Sequence, residues 1–104
     1  MTPTIGRIVH YTLSAQDADA INRRRSDAAR HMAEHRESAT GVVVHIGNAV
    51  AEGDVYPMVI TRCWGTTPES SVNGQVLLDG CDTLWVTSIS VGEGPRHFAW
   101  PARA

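Results

Sequence analysis

The sequence predicts an α+β fold: a small, bent antiparallel sheet or a partly open SH3-like barrel, with one long helix after the first strand. Five or six segments have the short apolar runs of strands, and turn residues separate them. One segment near the start has the capping signals and charge pattern of a helix. A chain of 104 residues suits one domain, residues 1–104, with a single core.

The first strand is predicted at residues 6–13, GRIVHYTL, and the helix follows it directly. The side chains that share one side of this strand are Val9, Tyr11 and Leu13. Ser14 is the expected N-cap, and Asp17 suits both a capping box and the positive end of a helix. We expect the helix to run from about residue 15 to residue 37. Its apolar stripe is thin, so it should pack on one narrow face.

The predicted helix carries five arginines and five acidic residues, so its charges cancel. Asp19 with Arg23, and Arg30 with Glu34, have the four-residue spacing of helix ion pairs. Residues 23–25 are three consecutive arginines, which fan around a helix rather than share one face. A solvated face is the favoured interpretation of these three, and contact with an anionic ligand or another subunit is the alternative.

Further strands are expected after the helix, separated by turns that contain glycine, proline or aspartate. They cover residues 41–50, 55–64, 72–78, 83–91 and 96–100. The third and fourth of these form a hairpin whose tip is DGCD. Asp79 and Asp82 at the tip resemble a carboxylate pair for acid–base or metal chemistry. Tight turns also favour aspartate, and Gly80 supplies a positive φ, so turn chemistry is the favoured interpretation.

Catalytic motifs are scarce. HMAEH, residues 31–35, matches the H-x-x-E-H pattern of some zinc enzymes. The segment lies on a solvated, charge-rich helix where these residue types occur freely, so a coincidence is the favoured interpretation. The sequence contains no P-loop, no G-x-G-x-x-G fingerprint and no Ser-His-Asp order. We therefore expect a protein that is not an enzyme, with no metal site and no cofactor.

The aromatic residues suggest binding instead. Three of the six are tryptophans, and each ends or lies within a predicted strand. If its apolar neighbours fill the core, Trp85 points to the opposite face of the sheet. Indole faces, guanidinium groups and amides together suit a base and a phosphate. The candidate ligand-binding residues are Arg62, Trp64, Asn73, Gln75, Trp85, Thr87, Arg96 and Trp100. The alternative is that the tryptophans only cover the second face of the sheet.

Charge, hydropathy and cysteine content exclude several classes of function. A net charge of −2 argues against a protein that binds duplex nucleic acid. No apolar run is long enough to cross a bilayer, and the first residues lack the features of a signal peptide, so we expect a cytoplasmic protein without a membrane partner. Cys63 and Cys81 form no C-x-x-C pair, which excludes a zinc ribbon, and both are expected to be free, buried thiols.

Several distinctive stretches lie along the chain: GRIVHY near the start, GNAVAEGDVYPMVITRCW in the middle, and VNGQVLLDG, LWVTS and HFAWP toward the end. In this combination they resemble a group of small proteins from tailed phages and prophages. In HFAWP, two residues separate His97 from Trp100, where the usual spacing is tighter, which puts a role for His97 in doubt. The resemblance implies a phage or prophage origin and work in the host bacterial cytoplasm.

Together these features predict a non-enzymatic accessory protein that binds a small anionic ligand. In size and architecture the chain is similar to anti-defence sponge proteins, which sequester the nucleotide signals of bacterial immunity. A protein–protein interaction module is the alternative, either an inhibitor of a host protein or a minor virion component. We also expect a homo-oligomer, because a small domain with an edge strand and a thinly apolar helix gains from self-association.

Overall fold

A computed structural model describes residues 1–30 in full, the backbone of residues 31–35, and residues 46–102. These residues form a closed barrel of five strands, with one helix after the first strand. The strands are β1 (Ile8–Thr12), β2 (Val55–Cys63), β3 (Val72–Leu77), β4 (Thr83–Val91) and β5 (His97–Ala99), and the helix is α1 (Ala15–His35). The predicted small α+β fold, mostly sheet with a single helix after the first strand, is confirmed.

The barrel closes through its shortest strand. β5 pairs antiparallel with β1 and parallel with β4, whereas the other neighbouring strands pair antiparallel. The turn before β5 contains Gly94 at φ 87° and Arg96 at φ 61°, and these left-handed residues redirect the chain so that it returns alongside β4. The sheet is therefore closed rather than open, and the edge strand expected from the sequence is absent from the described strands.

Alternation along each strand fills the barrel with apolar side chains. Val9, Tyr11 and Leu13 are fully buried, which confirms the predicted inner side of the first strand. Met58, Ile60, Val72, Val76, Val86, Ile89 and Phe98 are among the core residues that the other strands contribute. Among the helix residues with described side chains, 15–30, only Ala18 and Ile21 join this cluster, which agrees with the thin apolar stripe of the sequence.

The start of the helix is fixed by a reciprocal capping arrangement. The Asp17 backbone N–H donates to Ser14 Oγ at 3.0 Å, and the Ser14 N–H donates to the Asp17 carboxylate at 3.0 Å. The predicted N-cap and its capping partner are thereby confirmed. The same carboxylate accepts a hydrogen bond of 2.5 Å from the hydroxyl of Tyr11 in the core. Burial and this carboxylate raise the pKa of Tyr11 well above its ordinary value.

The helix is fastened to the barrel mainly through polar groups. Asn22 both donates to the carbonyl of Val50 at 2.8 Å and accepts from its N–H at 2.9 Å. Arg24 and Arg25 both bind the Asp82 carboxylate, at 3.0 and 3.2 Å. The interpretation of the three arginines as a solvated face is therefore wrong for Arg25, whose side chain is only 8% exposed. These bonds replace the broad apolar stripe that a docked helix normally has.

The ion pairs along the helix follow the predicted spacing in part. Arg23 binds Asp19 at 2.8 Å on the exposed surface, which confirms that pair. Arg30 binds Asp27 at 2.7 Å, and the Glu34 side chain proposed as its partner lies outside the described residues. No helix in the described part of the chain is long and apolar enough to cross a membrane.

The strand expected at residues 41–50 is not present in its described part. Residues 41–45 lie outside the described residues, and residues 46–50 make only an isolated bridge, Gly47 to Gly80. A Cβ on Gly80 would lie 2.5 Å from the Cα of Gly47, so the close approach of two backbones requires glycine there. This segment joins the hairpin tip to the helix instead of adding a strand.

The hairpin tip does more than turn the chain. The interpretation of both aspartates as turn chemistry needs correction, because the side chain of Asp82 is buried beneath the two helix arginines. Asp82 also accepts the N–H of Thr83 at 2.8 Å, as a turn aspartate does. Asp79 accepts from the side-chain amide of Asn48 at 2.6 Å. The tip is thus a junction between the barrel, the helix and the segment before β2.

Candidate functional site

The structure distributes the eight predicted binding residues over four places on the barrel. One cluster on the outer surface contains Arg62, Trp64 and Asn73. Gln75 and Trp85 are neighbours across β3 and β4. The guanidinium of Arg96 reaches the carbonyl of Thr87, and Trp100 packs against Phe98. The eight residues therefore do not form a single pocket.

Asn73 lies where two strands each carry an extra residue. Opposite it, β2 has one additional residue between Ile60 and Arg62, and β4 has one between Val86 and Ile89. Such bulges leave backbone groups without their ladder partners and occur often beside functional sites. The side chain of Asn73 fills one of these gaps, because its Oδ1 accepts the backbone N–H of Ser88 at 2.9 Å.

The same oxygen fixes the orientation of a tryptophan. Asn73 Oδ1 also accepts the indole N–H of Trp64 at 3.0 Å. Two N–H donors on one atom identify that atom as the oxygen, so the amide orientation is determined by its bonding. Asn73 is only 8% exposed, and its amide Nδ2 donates to none of the described residues. The two N–H groups of this nearly buried amide therefore lack a partner among the described residues.

Arg62 covers this indole. Its guanidinium carbon lies 4.0 Å from the centroid of the Trp64 ring, and the tryptophan is still 54% exposed. A cation at this distance is attracted by the ring, which holds the exposed arginine side chain in place. Ser88 adjoins the cluster with φ at 56°, a left-handed value that is uncommon for serine. We call Arg62, Trp64, Asn73 and Ser88 the outer cluster.

A separate row of side chains crosses the outer surface of four strands. Register aligns Ile8 with Val59, Val59 with Gln75, and Gln75 with Trp85. Trp85 is 62% exposed, so the prediction that it points away from the core is confirmed. Ile8 is also mostly exposed, whereas the two residues between them are half-buried. We call these four residues the outer row.

Arg96 and Thr87 have a structural role in the barrel. The backbone N–H of Arg96 donates to the carbonyl of Thr12 at 2.9 Å, and its side chain donates to the carbonyl of Thr87 at 3.4 Å. These bonds hold the left-handed turn that leads into β5. The structure brings neither residue into the outer cluster.

Trp100 contacts Phe98 and also Arg7, which was not among the predicted binding residues. Its ring meets the buried ring of Phe98 edge to face, with centroids 5.9 Å apart. The guanidinium carbon of Arg7 lies 5.7 Å from the Trp100 centroid. Arg7 precedes β1, and only the closure of β1 onto β5 brings it to this tryptophan. Ser88 was missed for a related reason, because bulge positions have no sequence signal of their own.

Within residues 1–30 and 46–102, no three His, Cys, Asp or Glu side chains are grouped as a metal site would require. The side chains of HMAEH, residues 31–35, lie outside the described residues. Cys63 is half-buried and donates to the carbonyl of Pro3 at 3.3 Å. Cys81 is exposed at the hairpin tip, so the expectation that both thiols are buried is wrong.

Comparison of the chain with protein-family models, with curated proteins and with solved structures finds no match. The resemblance to small phage proteins, and the origin and cellular location that it implies, therefore stay predictions. The described residues contribute two arginine–tryptophan pairs, one amide whose N–H groups are unpaired, and one outer row whose ends are exposed.

Proposed function

We propose that this chain is a non-enzymatic binding protein whose outer cluster takes a small anionic ligand with an aromatic part, most simply a nucleotide. The supporting observation is the close pair of Arg62 and Trp64 beside the nearly buried Asn73, whose amide N–H groups have no partner among the described residues. The guanidinium suits a phosphate, the indole suits a base, and the amide suits an acceptor on the base or sugar.

The pairing of the arginines favours this location. On the helix, Arg23, Arg24, Arg25 and Arg30 bind aspartates. On the barrel, Arg62 and Arg7 have no carboxylate partner among the described residues. Each of these two arginines instead rests on a tryptophan. An arginine that is held by an aromatic ring and not neutralised by an acid is available to an anion.

This proposal gives a specific role to the phage or prophage protein that the sequence predicts. A phage or prophage accessory protein that sequesters a nucleotide signal of bacterial immunity needs binding and no chemistry, and the outer cluster contains no nucleophile activated by a neighbouring base. An SH3-like barrel is the finer fold assignment that we propose with it, supported by five strands that pair in chain order and close through β1 and β5.

The test is a titration of the purified protein with adenosine monophosphate, ADP-ribose and cyclic di-AMP, followed by calorimetry. We expect saturable binding of at least one probe, and a loss of at least about tenfold in affinity for Arg62→Gln. Arg23→Gln is the matched control, because Arg23 is exposed on the helix and should leave binding unchanged. Absence of binding for all three probes, or equal affinity in both variants, contradicts the proposal.

A protein partner is the second candidate, and the outer row supports it. Its ends, Ile8 and Trp85, are exposed large apolar side chains on one continuous surface, and tryptophan is common at interface hot spots. Self-association through this row would give the expected homo-oligomer. Sedimentation of Trp85→Ser and of the unsubstituted protein tests this interface. If the unsubstituted protein is an oligomer and the variant is a monomer, the result supports the outer row as the interface. If the variant forms the same oligomer, the outer row is excluded as the interface.

A further inference from the structure

A cleft opens where the start of β1 meets the end of β5. It has a volume of about 350 Å³ and is lined by Met1, Arg7, Ile8, Trp100 and Pro101. We propose that this cleft is a second binding site, for a small organic anion whose carboxylate or phosphate pairs with Arg7 and whose apolar body lies against Trp100. This assignment is independent of the outer cluster, because it uses a different arginine and a different tryptophan.

The wall formed by Trp100 is preformed. The ring is at 86° to that of Phe98, which is fully buried among the core residues. An edge-to-face contact of this kind orients an aromatic ring and adds to the stability of its packing. The ligand therefore meets an indole whose position is set by the core and need not be ordered on binding. Preorganisation of this kind favours affinity in a small site.

Arg7 is held by its backbone at the rim of the cleft. Its N–H donates to the carbonyl of Thr4 at 3.2 Å, and its carbonyl accepts the N–H of Ile60 at 2.9 Å. The guanidinium has no carboxylate partner among the described residues. An arginine fork beside an apolar wall is the arrangement that binds the carboxylate or phosphate of an amphipathic anion.

The two arginine–tryptophan pairs differ in the distance between the guanidinium group and the indole ring. The guanidinium carbon of Arg62 is 4.0 Å from the Trp64 centroid, whereas that of Arg7 is 5.7 Å from the Trp100 centroid. The Arg7 guanidinium is therefore held less closely by its tryptophan than that of Arg62 is. Trp100, Ile8 and Pro101 then provide apolar surface, while Arg7 provides the charge.

The size of the cleft limits the ligand. Small-molecule pockets have volumes of roughly 300–1,000 Å³, so a cleft of about 350 Å³ is at the lower end of that range. A single aromatic ring with one anionic group fits this volume better than a dinucleotide does. Benzoate and phenyl phosphate are suitable probes, because they share the apolar ring and separate the two anionic sources. Benzyl alcohol is the neutral control.

The experiment is a ¹H–¹⁵N NMR titration of the full, untagged chain. The indole N–H signals of the three tryptophans are assigned with single Trp→Phe variants. We expect a saturable shift of the Trp100 signal with an anionic probe, at a Kd on the order of 1 mM. Arg7→Gln should weaken this binding by about tenfold or more, and the exposed helix variant Arg23→Gln should leave it unchanged. Benzyl alcohol should bind more weakly than either anion.

Three results would overturn the proposal. One is the absence of a saturable Trp100 shift for both anions at concentrations on the order of 10 mM. Another is equal affinity of Arg7→Gln and the unsubstituted protein. A third is a loss of binding in Arg62→Gln without a loss in Arg7→Gln, which would assign the anion to the outer cluster. Arg7 is exposed, so its variant should fold, and its NMR spectrum verifies this in the same experiment.

Discussion

Replacing Asp82 with asparagine should destabilise the barrel by about 2–4 kcal/mol, since it removes the charge that joins the helix to the hairpin tip. The carboxylate is 4% exposed and accepts from Arg24 at 3.0 Å and from Arg25 at 3.2 Å. Asparagine has nearly the same shape and keeps an oxygen for the N–H of Thr83. The substitution therefore tests the charge and not the packing.

The magnitude follows from the exposure of the two arginines. Arg25 is 8% exposed, so its bond to Asp82 has the value of a buried hydrogen bond between charged groups, about 1.5–3 kcal/mol. Arg24 is 32% exposed, and solvent screening reduces its contribution to about 0.5–1 kcal/mol. Domains of this kind have about 5–15 kcal/mol of total stability, so the sum is a large fraction.

Urea unfolding followed by far-UV circular dichroism measures this effect. With a slope of about 1–3 kcal/mol per molar for a small protein, a loss of about 2–4 kcal/mol should lower the urea midpoint by about 0.7–4 M. Asp19→Asn is the matched control, because its pair with Arg23 is exposed at 64% and 76% and should contribute less than about 0.5 kcal/mol. A double-mutant cycle with Arg25→Gln should return a coupling of about 1–3 kcal/mol. A change below about 0.5 kcal/mol in Asp82→Asn would refute the reasoning.

Three further substitutions have defined outcomes. Burial and Asp17 raise the pKa of Tyr11, so as the pH rises the unfolded chain loses the Tyr11 proton before the folded chain does. The contribution of the neutral Tyr11 hydroxyl to the free energy of unfolding is therefore complete below about pH 10 and declines above it. Urea unfolding of Tyr11→Phe should lack that decline. An equal decline in both proteins contradicts this. Ser14→Ala removes the cap and should lower stability by about 1 kcal/mol in the same assay, with faster amide exchange in the first turn; unchanged exchange argues against the cap. Gly80→Ala should lower the melting temperature, because its Cβ would meet the Gly47 backbone; an unchanged temperature means that the two backbones separate freely.

Local features of the fold were predictable from the sequence because their causes are local. Alternation placed Val9 and Tyr11 in the core, and the spacing of Ser14 and Asp17 located the start of the helix. The docking of the helix was not predictable, since Arg25 and Asp82 are 57 residues apart in the chain. The closure of the barrel depends likewise on a three-residue strand whose pairing on both sides leaves no pattern in the sequence.

The candidate site was predictable only as a set of residue types. Tryptophan and asparagine on neighbouring strands are visible in the sequence, and two of them, Trp64 and Asn73, do meet. Their contact depends on the two extra residues in β2 and β4, which shift the register by amounts that alternation does not reveal. Arg7 was missed because its partner, Trp100, lies at the other end of the chain.

The position of Asn73 also determines how fast this side chain deamidates. Asn73 precedes Gly74, and an asparagine followed by glycine deamidates readily when the glycine nitrogen can attack the side-chain amide carbon. In the barrel the side chain is held by Trp64 and Ser88, and its own backbone carbonyl accepts from Thr61, so the amide carbon is kept from that attack. Unfolded chains have no such protection, and the carboxylate formed there would repel an anion. The time for which the outer cluster keeps an intact Asn73 therefore depends on how rarely the barrel unfolds.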